Sequence, residues 1–367
     1  MSWSSSPAVR FEVDPYRPDP PPVWLRFLGV IVNLLIWPGI GHFVMGRFAR
    51  GAFWIAFAVI CMLSSPLVLP LSPPVIAAAL LGPRVLSALD ATFARQGRTP
   101  TGNQLVLAIL VYLVAIGLVS FLARRYYMEA FGIQSAGMAP TIAIGDHIFV
   151  NKLAYRMDDL QRGDVIAFFH PCEPDTIFIK RAVAVAGDTV EVRCDMLHVN
   201  GKAVPRDVLE DRASYWDLVG PGEWREVAAS RQLESLEGYE YEVFLPPTRS
   251  ADGAPESAEG SGERDFPGAD LPSCSMYGDG ERGGGAPVGR IAGQEGAGPT
   301  GACTLKRHYV VPEGHVFVLG DNRASSSDSR MWGPVPLESL MGKASGIWWS
   351  RGAPAEGIRW HRIGAIQ

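Results

Sequence analysis

Thr176–Ile177–Phe178–Ile179–Lys180–Arg181–Ala182–Val183–Ala184–Val185, followed by Ala186–Gly187–Asp188, is a run rich in β-branched, aromatic and small apolar residues that ends in a turn pair. Such a run reads as a strand, and Phe178, Ile179, Ala182 and Val183 surround its one lysine with apolar neighbours. On either side of it, Asp146–Val150, Asp164–Phe169, Thr189–Val192, Leu197–Val199 and His315–Leu319 have strand character too. Turn signals at Gly163–Asp164, Gly187–Asp188 and Asn200–Gly201 separate them, and Asn-Gly between strands is a strong hairpin signal. Residues 124–202 and 303–367 therefore read as a mainly-β domain of antiparallel strands. Residues 203–247 read as a second subdomain with a strand around Glu240–Leu245. Residues 248–302 are dominated by Gly, Ser, Pro, Ala and acids; they offer too little apolar surface to offset chain entropy, so a flexible insert is expected.

The first third of the 367-residue chain is different in kind. Residues 1–22 hold six prolines and no apolar periodicity, which indicates a disordered tail rather than a cleaved signal peptide. Four apolar runs follow within 23–123, at 27–45, 52–71, 75–92 and 105–123, each near the length of a membrane-crossing helix. The third is weakened by Pro83 and Arg84. Four crossings from an external N-terminus put Arg47, Arg50, Arg95 and Arg98 in cytoplasmic loops and the β domain outside. Pro38–Gly39–Ile40–Gly41–His42–Phe43 with Gly46–Arg47 resembles the Pro-Gly-x-Gly hairpin of some small membrane proteins, and His42 reads as a buried helix residue rather than a ligand.

A net charge of -5 argues against nucleic acid as a partner. None of Cys61, Cys172, Cys194, Cys274 and Cys303 forms a Cys-x-x-Cys pair, so no zinc site is expected. Outside the cytoplasm, Cys274 and Cys303 stand where they can bridge the ends of the insert, although the pairing is open at this level.

Four segments in order resemble the signal peptidase I family, the membrane-bound proteases with a Ser-Lys dyad. Ile133–Gln134–Ser135–Ala136–Gly137–Met138–Ala139–Pro140–Thr141 corresponds to the family's Pro-Ser-Gly-Ser-Met-x-Pro-Thr-Leu, and continues into Gly145–Asp146 and Val150–Asn151–Lys152. Arg162–Gly163–Asp164–Val165–Ile166–Ala167–Phe168 matches a Gly-Asp-Val-x-x-Phe strand. Ile179–Lys180–Arg181 through Gly187–Asp188 is similar to Lys-Arg-x-x-Gly-x-Pro-Gly-Asp. Gly320–Asp321–Asn322–Arg323, with Ser326, Asp328, Ser329, Arg330 and Gly333, matches the fourth. The closing Gly357–Gly364 resembles the family's C-terminus.

The resemblance implies a signal peptidase I-like fold, a plasma (inner) membrane location with an extracytoplasmic soluble domain, and preprotein signal peptides and the lipid bilayer as partners of a monomer. No metal or organic cofactor is implied. Lys180 takes the place of the general base, for which burial must lower the free-lysine pKa of about 10.4. Ser135 aligns with the serine that assists the oxyanion, and Ser326 with the support of the lysine. Asp328, Arg330 and Arg181 would give structural support through an Asp328–Arg330 or Asp328–Arg181 pair, and Ile133, Gln134 and Met138 would flank substrate. The position of the nucleophilic serine is Gly137, and Met138, Pro140 and Thr141 fix that register. Three readings are open: a binding protein for signal peptides or a maturation partner without catalysis, a peptidase in which Ser135 on the same strand face has become the nucleophile, or a peptidase inactivated at this one residue.

Overall fold

The computed structural model describes residues 23–35, 37–68, 73–93, 101–247, 265–268, 270–274, 288–293, 307–353 and 356–366. The expected tail at 1–22 and most of the expected insert at 248–302 lie outside them. The chain divides into two compact units, Met1–Arg125 and Tyr126–Gln367.

The first unit contains α1 (Val23–Leu35), α2 (Ile40–Val44), α3 (Phe48–Val68), α4 (Pro73–Phe93) and α5 (Gly102–Tyr126). Among the described residues no helix is long and apolar enough to cross a membrane, so the four expected crossings are not found as such. The first is broken at Pro38–Gly39, where Gly39 has φ 94° and a left-handed backbone. Asn33 caps the break: its Oδ1 accepts the Gly39 and Gly41 N–H groups at 3.1 and 2.8 Å. The Ser87 hydroxyl accepts the Gly39 N–H at 3.0 Å. The glycines allow backbones to touch, since a Cβ on Gly41 would lie 1.9 Å from the Gly29 carbonyl oxygen and one on Gly39 2.4 Å from that of Gly51. The third run carries Pro83, Arg84 and Asp90 within α4. Asp90 accepts from Arg50 at 2.7 Å and Trp54 at 2.9 Å, and the fully buried His42 lies 3.4 Å away.

The second unit begins with β1 (Met128–Gly132), β2 (Asp146–Asn151), α6 (Ala154–Met157), β3 (Val165–Phe169), β4 (Ile177–Val185), β5 (Thr189–Arg193), β6 (Met196–Val199) and β7 (Lys202–Ala203). Next come β8 (Arg206–Gly220), β9 (Glu223–Leu236), β10 (Tyr239–Leu245), β11 (Arg290–Gly293), β12 (Arg307–Val310) and β13 (His315–Leu319). α7 (Ser329–Trp332), β14 (Val335–Pro336), β15 (Leu340–Ser350) and β16 (Gly364–Ala365) complete it. The large sheet runs β1-β2-β15-β3-β4-β13-β14, with β16 added to β15. A second sheet is β10-β9-β8 and a third β11-β12-β5-β6-β7. Among the described residues the ladders between these strands are antiparallel, and the Asn200–Gly201 turn has φ 52° and 73°, as a tight primed hairpin requires.

β4 lies between β3 and β13, and its two faces are both covered. Val183 and Ala184 enter a core with Val190, Leu197, Tyr309 and Phe317, while Ala182 packs with Ile166, Phe168, Val318 and Trp332. Double coverage explains a continuous apolar run where a half-exposed strand would alternate, and it buries every residue from Lys180 to Ala184.

The stretch expected to be a flexible insert is fastened to the domain at three described places. Phe266 is buried in the core and exchanges backbone hydrogen bonds with Val192, both 2.8 Å. β11 pairs with β12. Cys274 is disulfide-bonded to Cys172, not to Cys303, because the loop after β3 brings Cys172 to the insert with a Cα separation of 5.3 Å. Cys194 is also disulfide-bonded, and Cys303 lies outside the described residues.

Candidate active site

Lys180 sits in the middle of β4, opposite Ile166 of β3, and is only 6% exposed. Its Nζ lies 5.7 Å from the centre of the Phe178 ring and makes no hydrogen bond among the described residues. Burial is the largest influence and lowers its pKa below the ordinary lysine value; Asp328 and Asp321 oppose this, and Arg330 adds to it. The folded-state pKa thus lies below that of the unfolded chain, about 10.4. Between the two values the unfolded chain binds more protons, so stability is expected to rise as pH increases through the folded pKa and to level off above the unfolded one. Urea unfolding across that range should show a slope that Lys180→Met removes; an identical slope in the variant would mean that the amine is solvated.

β1 ends at Gly132, and the chain then leaves the ladder to form a turn. The Ala139 N–H donates to the Ala136 carbonyl at 2.9 Å, and the Ile142 N–H to that of Met138 at 2.8 Å. Gly137 is buried in this turn, and its carbonyl accepts the Asn322 N–H at 3.2 Å. A Cβ built on Gly137 would lie 2.9 Å from Lys180 Nζ, 3.5 Å from the Ser325 carbonyl oxygen and 4.0 Å from Ser326 Cα. Gly137 has no left-handed φ, so its backbone would accept a side chain. The structure therefore brings Lys180 and position 137 together.

The other expected site residues are placed less simply. Ser135 is exposed and lies in the irregular stretch after β1, so it shares no strand face with Gly137. Gln134 is exposed, Ile133 half-buried, and Met138 packs into the core with Ile142, Ile148 and Val150. The Ser326 hydroxyl is buried, but it has no hydrogen-bond partner, so the expected bond to the Lys180 amine is not made. It presses on Gly320, where a Cβ would lie 2.1 Å from Ser326 Oγ and 2.4 Å from the Gly137 carbonyl oxygen; only glycine fits there.

Charged side chains fix the loop that follows β13. Of the two pairings expected of Asp328, that with Arg330 forms, at 2.8 Å, whereas Arg181 pairs instead with Asp321 at 2.7 Å because β13 delivers Asp321 directly beside β4. Arg181 also donates to the Gly163 carbonyl at 2.7 Å and stacks 4.0 Å from the centre of the Tyr241 ring. Burial works to raise the Asp328 carboxyl, but Arg330, the Gly320 N–H and Lys180 hold it below the usual carboxylate range.

Sequence reasoning missed a second buried cluster. Glu234 pairs with Arg323 and accepts the Tyr241 hydroxyl at 3.0 Å, while Arg323 donates to the Gly320 carbonyl at 3.1 Å. Arg323 was visible in the fourth motif, but Glu234 and Tyr241 come from the segment with no motif of its own. Asn322 is fully buried with neither amide atom hydrogen-bonded. Among the described residues no three metal-ligating side chains come together.

The family described as "Signal peptidase, peptidase S26" matches residues 104–349. Signal peptidase I of Aquifex aeolicus (strain VF5) is 34% identical over 257 residues, covering 67% of this chain and 85% of that protein. Signal peptidase I of Pseudomonas fluorescens is 29% identical over 250 residues, 62% of this chain and 66% of that protein's length. A crystal structure of a signal peptidase I from Enterococcus faecalis V583 is 24% identical, with a TM-score of 0.23 over 51% of this chain and 97% of that one.

Proposed function

The chain belongs to the signal peptidase, peptidase S26 family, and from that premise we propose that it docks the small-x-small ends of signal peptides of exported preproteins at a membrane surface without forming the serine acyl-enzyme. The carrying observation is a buried amine 2.9 Å from the place of a side chain that position 137 does not have. Burial shifts this amine towards its uncharged, basic form, but acyl transfer also needs a hydroxyl or thiol to activate. Ser135, exposed beyond the end of β1, is not that group in this reading.

Docking uses the sheet edge. β1 is the terminal strand of the large sheet, paired on one side with β2, so an extended peptide can add along its other side and run past Ile133–Ala136 towards Gly137. The helical unit supports a bilayer partner: Phe27, Phe93 and Phe121 are 65%, 85% and 65% exposed, a costly display in water. The disulfides of Cys172–Cys274 and Cys194 suit an oxidising compartment, consistent with an extracytoplasmic β unit.

Fluorescence anisotropy of labelled signal peptides, with the full chain in detergent micelles, tests this reading. Binding is expected, weakened about tenfold or more when the small residues before the cleavage point are replaced by leucine, since a bulky side chain cannot enter a shallow pocket without strain. Equal affinity for both peptides, or none for either, would remove the proposal.

A further inference from the structure

The β8–β9 ribbon and the C-terminal segment line a cavity of about 670 Å³ that the docking reading leaves unused. Trp216 stands directly opposite Glu226 in the ribbon, and Trp224, opposite Leu218, lies diagonally from Trp216 on the same face. Both indoles are half-buried and line the cavity with Glu226, and Tyr215, stacked on Phe244 with ring centres 5.3 Å apart, adds a third aromatic surface. The two arginines of the lining are already neutralised. Arg359 and Arg362 both hold Asp146, at 3.1 and 2.7 Å, and Arg359 also pairs with Glu356 at 3.6 Å. Glu226 accepts from the Ser214 hydroxyl but has no ion pair among the described residues. The open charge is therefore negative, and indole faces beside a carboxylate favour an organic cation.

Two further cavities extend the first. One of about 380 Å³ shares Pro140, His361 and Arg362 with it, and one of about 330 Å³ shares Glu240 and Ile366 with the second. The charge pattern repeats along this trench: Lys343 pairs with Asp164 and Glu242 with Arg231, whereas Glu240 has no ion pair among the described residues. Glu226 and Ser235, which faces Glu240, lie on one strand roughly 30 Å apart at about 3.3 Å per residue. A lone amine spans little of that length, whereas an extended chain of about ten residues spans it.

We propose that this trench is a second peptide site, separate from the β1 edge, and that it binds a basic, extended polypeptide segment through its lysine or arginine side chains. None of the lining residues belongs to β1 or to Ile133–Gly137, so the inference does not rest on the docking reading. Alternate side chains of an extended chain point the same way, so basic residues at every second position line up along the trench. Those at the ribbon end lie against Trp216 and Trp224 with their charge towards Glu226, and those at the far end meet Glu240. Their apolar stems cover Ile144 and Ile358. Charge complementarity selects this occupant: an acidic segment would meet two uncompensated carboxylates, and a neutral one would draw nothing from them.

Fluorescence anisotropy of a labelled peptide of about ten residues, alternating Lys and Ala, with the full chain in maltoside micelles, is the measurement. Binding is expected, and the Glu-Ala counterpart should bind about thirtyfold more weakly or worse. Trp224→Ala should weaken the Lys-Ala peptide about fivefold, the worth of one partly desolvated cation–π contact. Glu226→Gln, which keeps the shape of the side chain, should weaken it about threefold at low salt and less as salt is added. Glu313→Gln removes an exposed carboxylate that lines none of the three cavities and should change nothing, which separates the trench from a general attraction of polycations to an acidic chain. Unchanged urea midpoints report that the variants are folded. No binding by wild type, equal affinity for the acidic peptide, or full affinity in both Trp224→Ala and Glu226→Gln would overturn the inference. So would displacement by lysine amide at concentrations near the peptide's own Kd, since the occupant would then be a small amine. Displacement by an uncharged small-x-small peptide would merge the trench with the β1 edge and overturn its separateness. Failure of small-x-small peptides to bind at all would remove the docking reading and leave this one standing.

Discussion

Gly137→Ser is expected to raise preprotein cleavage on the order of a thousandfold above wild type. Deleting a serine nucleophile from a protease costs on the order of a millionfold, which sets the ceiling for restoring one. The return falls short of that ceiling because a Cβ at 137 would lie 2.9 Å from Lys180 Nζ, closer than side chains normally approach. The amine ends a flexible chain and can withdraw, but Phe178 and the β4 core limit how far. A thousandfold gain corresponds to about 4 kcal/mol of transition-state stabilisation. Initial rates on a preprotein, with acyl-enzyme trapped for mass measurement, give the answer. In the Gly137→Ser background, Lys180→Met should return cleavage to near the starting level. A serine variant that binds peptide normally yet stays as slow as wild type would show that more than the hydroxyl has been lost.

Asp321→Ala should destabilise the β unit by about 3–5 kcal/mol, the cost of leaving one member of a buried ion pair alone. Arg181 and Asp321 are each 1% exposed at the side chain and joined through two hydrogen bonds, at 2.8 and 2.7 Å. Without the carboxylate, the guanidinium loses both of those bonds, while its contacts with the Gly163 carbonyl, Thr141 and the Tyr241 ring remain. The double variant Arg181→Met/Asp321→Leu should recover most of the loss, since apolar replacements of matched size no longer strand a charge. Equilibrium urea unfolding measures both. A loss below about 1 kcal/mol for Asp321→Ala would mean that water reaches Arg181, and that the pair resembles a surface bridge.

What the amino-acid order disclosed, and what it hid, follows from how local each signal is. β2, β3, β4, β5, β6 and β13 fall where strand patterns and turn pairs placed them, because a strand writes its identity into adjacent residues. The burial of Lys180 followed from its immediate neighbours as well. Its nearness to position 137 is a contact across the sheet and was legible only through family resemblance. The bond from Cys172 to Cys274 joins residues 102 apart, a separation at which nothing in the local chain selects a partner. Phe266 is a lone apolar residue in a polar stretch, so no period marks it, yet it fills the core beside Tyr309 and Phe317. The first expected crossing failed for a different reason: hydropathy summed over 27–45 outweighed Asn33 and Pro38, whereas geometry let those two residues divide it.

The covalent link between Cys172 and Cys274 also bears on how this protein is made. Translation must pass both cysteines before the link can close, so the loop after β3 waits for a segment synthesised much later. Material produced in a reducing cytosol would reach purification with that fastening open beside the Phe168 and Trp332 cluster. Export-based production is therefore the appropriate route to samples in which the measurements above carry their intended meaning.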